Sequence, residues 1–240
     1  MTTLILFDID GTLIRSNSAG RAAMAYALTK ACGTAGPLDS YHMGGKTDPR
    51  IITDLLVAAG CSPEEIQNKL PIIYDLMTAQ AHETFPGKGI QACLGVPELL
   101  AALGQRPDVV LGLLTGNIVS TAPLKLGAAG LDAGQFRVGA YGSDHMDRNQ
   151  LPFIAMQRAS QLTGEPFEGT NTVIVGDTPA DILCARAGKA TAVAVASGWH
   201  SAATLAQYKP DHLLENLGDT EKVLEILLAS QDGQSNANTP

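Results

Sequence analysis

The chain lacks the features that mark membrane, secreted and nucleic-acid-binding proteins. No apolar run approaches the ~18 residues needed to cross a bilayer, and the N-terminus has neither a basic region nor a cleavable signal pattern. Basic residues number 16 against 24 acidic ones, and the net charge of −8 argues against a nucleic-acid partner. We therefore expect a cytoplasmic protein that binds neither nucleic acid nor membrane.

Cysteine is also scarce. The four cysteines are far apart and form no CxxC pair, a pattern that argues against a disulfide framework and a zinc site. Apolar residues make up 45% of the 240 residues and charged residues 17%. This composition is typical of a globular chain long enough for a core domain and a smaller second unit. The oligomeric state is not readable from it.

What the chain does contain is a series of short apolar segments separated by helical patterns. Residues 4–7, 109–114 and 172–175 are short and mainly apolar, as in strands buried on both faces of a parallel sheet. Helical patterns stand between them, including one at 118–129 directly after the second strand. This alternation predicts an α/β fold, a Rossmann-like parallel sheet core with helices on both faces.

Residues 15–87 contain no convincing strand and predict an inserted all-α unit. Pro71 interrupts the last of its helical patterns and is expected to end or kink that helix. The predicted core then comprises residues 1–14 and 88–229. The polar tail at 230–240 is predicted to be disordered.

Three of the predicted strands end in polar residues. Asp8 and Asp10 follow the first, Thr115 ends the second, and Asp177 follows the third. The carboxyl ends of parallel strands share one edge of the sheet, where ligands bind, so these side chains are expected to meet there. Alone, two acids beside Gly11 indicate a cation site, a nucleophile or an Asp-Gly turn. Convergence of the strand ends favours the first two.

The acids suit a hard cation. Mg²⁺ takes oxygen ligands, commonly one or two carboxylates with water and substrate phosphate, and Asp8 and Asp177 can supply the carboxylates. Asp181 lies in the first turn of a predicted helix, where it either holds a metal-bound water or stabilises the helix dipole.

The remaining groups suit phosphoryl transfer. A carboxylate can attack phosphorus to form an aspartyl-phosphate, and a second acid, Asp10, can protonate the leaving oxygen and later deprotonate water. Thr115, with the backbone N–H groups of Gly116 and Asn117 at a helix N-terminus, can bind phosphate oxygens. Arg148 is the candidate for a fixed cation beside the phosphate.

These segments resemble the haloacid dehalogenase-like hydrolase superfamily. The matching motifs, in the family's order, are Asp8-Ile9-Asp10-Gly11-Thr12-Leu13, Leu114-Thr115-Gly116-Asn117 and Gly176-Asp177-Thr178-Pro179-Ala180-Asp181. The family's remaining motif is a Lys or Arg before the last strand, and Arg148 is the best match. Lys125 is a rival, but its position on the helix after Thr115 favours an exposed lysine.

The resemblance implies Asp8 as the nucleophile, Asp10 as the acid and base, and Mg²⁺ held by Asp8, the Asp10 carbonyl and Asp177. The helical insertion then resembles the small α-helical cap of phosphoglycolate phosphatase-like members, whose loop places Lys46 where it could contact the distal part of a substrate. A solvated loop lysine explains Lys46 equally well. The dehalogenases lack an acid at the position of Asp10, so its presence favours phosphate ester chemistry.

The implied function is a Mg²⁺-dependent phosphatase that hydrolyses a small phosphate monoester, with a small phosphorylated metabolite as its partner. A β-phosphoglucomutase-type phosphomutase shares every core motif. A catalytically idle, ligand-binding or regulatory relative is a third alternative, which the intact set of acids argues against. The identity of the ester is not readable from the sequence.

Overall fold

The computed structural model describes residues 2–229; the tail predicted to be disordered lies outside the described residues. The strands are β1 (Thr3–Phe7), β2 (Ile14–Arg15), β3 (Gln91–Ala92), β4 (Val109–Thr115), β5 (Val138–Tyr141), β6 (Thr172–Gly176), β7 (Thr191–Val195) and β8 (His212–Leu214). The helices are α1 (Ala19–Cys32), α2 (Asp48–Ala58), α3 (Pro63–Thr84), α4 (Val96–Gly104), α5 (Ala122–Ala128), α6 (Leu151–Thr163), α7 (Pro179–Ala187), α8 (Ala202–Ala206) and α9 (Thr220–Ala229). Between residues 2 and 229, no helix is both long and apolar enough to span a membrane.

The main sheet has the order β5-β4-β1-β6-β7-β8, and every pairing in it is parallel. Strand β1 lies between β4 and β6, with Phe7 level with Leu113 on one side and Val175 on the other. The predicted Rossmann-like α/β fold is therefore confirmed. Because the strands run in register and in one direction, their carboxyl ends lie side by side.

Strand β1 is buried on both faces. Ile5 and Phe7 pack into the hydrophobic core on one side of the sheet, and Leu4 and Leu6 into the core on the other. Burying such a side chain contributes about 1.5–3 kcal/mol. The position of Asp8, directly after Phe7, is set by this packing.

The helices α1, α2 and α3 form a helical unit with a core of their own, separate from the two cores of the sheet. Its buried residues include Met24, Leu28, Ile52, Leu55 and Ile73. The alanine-rich composition of α1 allows close packing, and α1 lies against α3 along its length.

Pro71 does not end the third helix, which excludes one of the two predicted outcomes; a kink at this residue stays a prediction. Helix α3 runs from Pro63 to Thr84 with Pro71 inside it. Buried residues on both sides of the proline, among them Leu70, Ile73 and Met77, hold the two halves of the helix against the same core. This burial outweighs the ~3 kcal/mol that an internal proline costs a helix.

A two-stranded antiparallel ribbon joins the helical unit to the sheet. It pairs Ile14 with Ala92 and Arg15 with Gln91. The sequence pattern did not predict it, because two residues per strand are too few to show a period. The chain segments that enter and leave the helical unit therefore lie side by side in this ribbon.

The helix predicted at 118–129 is shorter than expected. It begins at Ala122, with Pro123 in its first turn, where proline needs no N–H partner. The chain between Thr115 and Thr121 is a turn, so Gly116 and Asn117 do not lie at a helix N-terminus. That part of the phosphate-binding prediction was wrong.

Candidate active site

The polar ends of the central strands line a single cavity. Asp8 and Asp10 after β1, Thr115 at the end of β4 and Asp177 after β6 all face this space, whose volume is about 840 Å³. Residues of the helical unit close it from the other side, among them His42 and the glycine loop that follows. The sheet edge and the helical unit therefore line one pocket together.

Three carboxylates meet on one side of the cavity. Oxygens of Asp8, Asp177 and Asp181 lie within 4.8 Å of one another, and all three residues are buried. Burial raises the pKa of Asp8 to about 6, although the Arg148 charge opposes the shift. Burial, with the charges of Asp181 and Asp8, raises the pKa of Asp177 well above its ordinary value. The cluster is short of positive charge.

Arg148 is the cation beside this cluster. One of its guanidinium nitrogens lies 3.0 Å from Asp8 Oδ1 and 2.5 Å from Asp181 Oδ1. Arg148 stands in a short turn directly before α6 and is buried. Its pKa lies above the usual range because the charges of Asp181 and Asp8 outweigh burial. Arg148 therefore stays charged, but one guanidinium does not balance three carboxylates.

The backbone around Asp177 forms a close cradle. A Cβ at Gly11 would lie 2.3 Å from Asp177 Oδ2, and one at Gly198 only 1.7 Å from the same oxygen. The Thr12 hydroxyl donates to Asp177 Oδ1 at 3.3 Å. Hard oxygen donors with excess negative charge fit a divalent cation such as Mg²⁺. Asp8 and Asp177, with the Asp10 carbonyl named by the resemblance, are the residues that would hold it.

Asp181 has two partners. Its Oδ2 accepts from the Thr178 backbone N–H at 3.0 Å and from the Thr178 hydroxyl at 2.7 Å, a capping box that begins α7. Its Oδ1 accepts from Arg148. Capping α7 and orienting Arg148 are thus both visible in the contacts, and a role beside a metal-bound water stays a prediction.

Asp10 lies in a different electrostatic environment. Its Oδ2 accepts from Lys125 Nζ at 2.6 Å and from Asn117 Nδ2 at 2.8 Å. Burial by itself raises the pKa of Asp10, but the Lys125 charge and hydrogen bond lower the pKa below its ordinary value. In the protein without substrate, Asp10 is therefore a carboxylate at neutral pH.

Lys125 is not an exposed lysine, and that prediction was wrong. The residue is 4% exposed and reaches the site from α5. A signal was present in the sequence, since Lys125 stands between Leu124 and Leu126 in an otherwise apolar helix. A charged residue that interrupts such a pattern and faces inward needs a buried partner.

Asn117 contributes to the site mainly through its side chain. Its Nδ2 donates to Thr115 Oγ1 at 2.8 Å, and its Oδ1 accepts from Lys125 at 2.6 Å. Its backbone N–H is directed to Thr115 Oγ1 at 3.3 Å. Thr115, Gly116 and Asn117 all line the cavity, and phosphate binding by them stays a prediction.

Lys46 lines the cavity but has partners within the helical unit. Its Nζ donates to the Tyr41 hydroxyl at 2.6 Å and lies 3.7 Å from Asp54 Oδ2. The ammonium group also lies 4.1 Å from the centre of the Tyr41 ring. A contact with substrate would require Lys46 to share or leave these partners, and its role in specificity stays a prediction.

Asp48 joins the helical unit to the sheet edge. Its backbone N–H donates to the Gly116 carbonyl at 2.7 Å, and its Oδ2 accepts from the Ile118 N–H at 2.9 Å. A Cβ at Gly116 would lie 2.1 Å from the Lys46 carbonyl, so the glycine permits this close approach. Burial raises the pKa of Asp48 to about 6, opposed by the Lys125 charge.

Three aromatic residues for which the sequence predicted no role also line the cavity. The rings of His42 and His200 meet edge to face with centroids 6.2 Å apart, one from each side of the pocket. Trp199 is 93% exposed beside them. An indole with so much of its surface exposed is available to a ligand, although neither the motifs nor the spacing distinguished it.

Comparisons with known proteins agree with this geometry. A family model described as HAD-hydrolase-like matches residues 152–220. Pyrophosphatase PpaX of Bacillus pumilus (strain SAFR-032) is 24% identical over 219 residues, which cover 90% of this chain and 93% of the relative. The resemblance to haloacid dehalogenase-like hydrolases is confirmed.

Solved structures share the fold of this chain. A predicted phosphoglycolate phosphatase from Haemophilus somnus 129PT matches with a TM-score of 0.67 and 20% identity, covering 93% of this chain and 98% of that one. CbbY from Rhodobacter sphaeroides, solved in complex with phosphate, matches with a TM-score of 0.65 and 18% identity, covering 91% and 96%. The family-model match contains Asp177 and Asp181, whereas Asp8, Asp10 and Arg148 lie outside it.

Proposed function

We propose that this protein is a Mg²⁺-dependent phosphatase that hydrolyses a small phosphate monoester through an aspartyl-phosphate on Asp8. The observation that carries the proposal is the pairing of Asp8 and Asp10 in one cavity. Asp8 lies among carboxylates and Arg148, and Asp10 lies against Lys125. Two acids held in such different environments suit a nucleophile and a separate proton-transfer group.

In the first step, an oxygen of Asp8 attacks phosphorus while the bond from phosphorus to the leaving oxygen breaks. The proton on Asp10 passes to that oxygen, and the product is an alcohol. In the second step, water attacks the aspartyl-phosphate, the bond from Asp8 to phosphorus breaks, and Asp10 takes the proton from water. Bound beside Asp8 and Asp177, Mg²⁺ would supply charge neutralisation for the phosphoryl oxygens.

The residues of the chain supply the remaining requirements. Arg148, 3.0 Å from Asp8, is placed to attract the phosphoryl oxygens, and Thr115 lines the same space. Asp10 is ionised without substrate, so acid catalysis needs a proton that arrives with the substrate. A bound phosphate raises the pKa of a neighbouring carboxylate, which favours that protonation.

We propose that the helical unit, assigned here to residues 15–87, acts as a cap. Its loop closes the cavity through Asp48 and Gly116, and closing a site in this way excludes bulk water. A covered cavity of about 840 Å³ favours a small metabolite over a phosphoprotein. A cytoplasmic location stays a prediction from the sequence.

The substrate remains to be assigned by experiment. Phosphoglycolate is a candidate ester because one fold match is a predicted phosphoglycolate phosphatase. Pyrophosphate, an anhydride whose leaving group is phosphate instead of an alcohol, is included because the relative from Bacillus pumilus is a pyrophosphatase. Exposed Trp199 beside His200 could stack on a flat group, so a nucleoside monophosphate belongs in the test as well.

The test is phosphate release from these three compounds and from sugar phosphates, with Mg²⁺ and after EDTA treatment. Wild type is compared with Asp8→Asn, which keeps the size of the side chain and removes the nucleophile. We expect release that EDTA abolishes, that Mg²⁺ restores, and that Asp8→Asn lowers by at least about 10⁴-fold.

Indifference to chelation would contradict the metal assignment, and substantial activity in Asp8→Asn would contradict the nucleophile. Transfer of phosphate between positions of a sugar phosphate, without release to water, would identify the phosphomutase instead. Metal-dependent binding of phosphate analogues without any turnover would identify an idle relative.

A further inference from the structure

We propose that Lys125 is a positioning residue for Asp10: together with Asn117, it holds the Asp10 carboxylate in the orientation that proton transfer to the leaving group requires. The inference rests on the proposed function and adds to it a residue that the family motifs do not contain.

The hold on Asp10 comes through one oxygen. Oδ2 accepts from Lys125 Nζ at 2.6 Å and from Asn117 Nδ2 at 2.8 Å. Oδ1 is buried and, within the described part of the chain, has no hydrogen-bond partner. The orientation of the carboxylate therefore depends mainly on these two donors, with a weaker interaction from the Ser16 hydroxyl. Removing Lys125 leaves only neutral groups to fix it.

The contacts of Lys125 form a closed set within the site. Its Nζ also donates to Asn117 Oδ1 at 2.6 Å, so Lys125 fixes the second donor as well as the carboxylate. A Cβ at Gly20 would lie 3.0 Å from Nζ, and the absence of that atom leaves room for the ammonium group. A buried lysine is unfavourable unless it is paired, and here both acceptors belong to the catalytic edge.

The position of Lys125 decides which step it serves. Arg148 contacts Asp8 and Asp181 on the metal side of the cavity, whereas Lys125 contacts Asp10. In the step concerned, the bond from phosphorus to the leaving oxygen breaks while the bond to Asp8 forms, and the proton on Asp10 moves to the leaving oxygen. Lys125 keeps Asp10 within reach of that oxygen, and misplacing a catalytic group by about 1 Å can cost about 10²-fold.

The test compares Lys125→Met with Lys222→Met, a matched control because Lys222 is exposed on α9. Each variant is assayed on an alkyl phosphate and on p-nitrophenyl phosphate. We expect Lys125→Met to lower kcat about 10²-fold for the alkyl ester and by less than about tenfold for the nitrophenyl ester, with KM nearly unchanged. Nitrophenolate leaves without needing a proton, so the position of Asp10 matters less for it.

A double-mutant cycle with Asp10→Asn shows whether Lys125 acts through Asp10. In that background we expect Lys125→Met to change kcat by less than about threefold, because there is no proton left to position. If the kcat losses of Lys125→Met and Asp10→Asn multiply in the double variant, the proposal is overturned. Equal losses of Lys125→Met on both esters, or a rise in its KM alone, would also overturn the proposal, because they would indicate that Lys125 contacts the phosphate itself.

A crystal structure of Lys125→Met gives a readout that does not require turnover. We expect the Asp10 carboxylate to leave its wild-type orientation, while Asp8 and Asp177 keep theirs. An unmoved Asp10 would overturn the proposal even if activity falls. If the wild type hydrolyses no ester, the proposed function fails. The crystal structure of the variant still tests whether Lys125 fixes the orientation of the Asp10 carboxylate. Lys125→Leu, which likewise removes the donor, replaces Lys125→Met if the latter does not fold.

Discussion

The two sides of the cavity treat the same functional group in opposite ways. Asp8 and Asp10 leave one strand two residues apart, but burial among acids raises the pKa of Asp8 to about 6. Burial alone would raise the pKa of Asp10, but the charge and hydrogen bond of Lys125, together with hydrogen bonds from Ser16 and Asn117, lower it below its ordinary value. On the Asp8 side acids outnumber bases and no base is paired with one acid alone, whereas on the Asp10 side Lys125 forms a direct ion pair with Asp10.

In the proposed mechanism, this difference gives two roles to two acids that follow one strand. An excess of carboxylates creates a site for a cation, and a cation beside Asp8 would lower the pKa of Asp8 and favour the ionised form, which is the proposed nucleophile. A matched pair with Lys125 leaves Asp10 oriented and free to exchange a proton when substrate adds charge. The neighbours of each acid, rather than the acids themselves, assign the roles.

The sharpest way to separate the two sides is Asp10→Asn. The amide keeps the shape and can still accept from Lys125, but it cannot donate a proton as an acid. We expect kcat to fall by about 10²- to 10⁴-fold for alkyl esters and least for esters with acidic leaving groups, while Mg²⁺ binding measured by calorimetry is unchanged. Equal losses for all leaving groups would count against acid catalysis by Asp10.

Arg148→Ala tests the other side. It leaves Asp8, Asp177 and Asp181 without a guanidinium, and we expect kcat to fall by about 10²- to 10³-fold whatever the leaving group. Without metal, the free energy of unfolding should also fall by about 3–5 kcal/mol, because a buried ion pair has lost one partner. Added Mg²⁺ should restore part of that stability.

Arg106→Ala is the matched control. Arg106 pairs with Asp108 at 2.8 Å, but both side chains are nearly half exposed, so we expect no effect on activity and less than about 1 kcal/mol on stability.

A loss of activity that depends on the leaving group in Arg148→Ala would place Arg148 on the Asp10 side and contradict the comparison.

Asp48→Asn extends the comparison to the helical unit. Asp48 has a pKa of about 6 against an ordinary value of 3.8, so its ionisation destabilises the folded state increasingly from about pH 4 to about pH 6. The cost is fully present above that range and absent below it. The amide oxygen of the variant can still accept from the Ile118 N–H. We expect the free energy of unfolding of the variant, relative to wild type, to be about 2–3 kcal/mol higher at pH 8 than at pH 4.

Urea unfolding of wild type and Asp48→Asn at the two pH values measures this difference. Asp39→Asn is a suitable control, because Asp39 is an exposed aspartate of the same unit. A stability difference that does not change with pH would show that Asp48 is not a buried charge in the folded protein.

The central strands could be predicted because their signal is local. Residues 4–7 and 173–175 are apolar throughout, and both segments lie in strands buried on two faces. The acids that follow them lie together because parallel strands bring their ends to one edge. The ribbon between β2 and β3 could not be predicted, since its four residues pair across a long insertion and show no pattern.

The least predictable parts of the site depend on contacts between distant segments. Lys125 meets Asp10 across 115 residues of chain, and Asp48 meets Ile118 across 70. The partner of such a side chain is set by the packing of whole elements, so the sequence near Lys125 shows only that a charge interrupts an apolar helix. Trp199 is similar, because nothing local distinguishes an exposed indole from a packed one.

The sequence by itself determined the α/β class, the order of strands and helices, and the acids at the strand ends, because short-range apolar periods and turn residues encode these features. Tertiary structure alone decided how each acid is charged. A pKa depends on burial and on charges within a few ångströms, and those neighbours come from β4, α5, α7 and the helical unit, which are remote in the chain and adjacent only after folding.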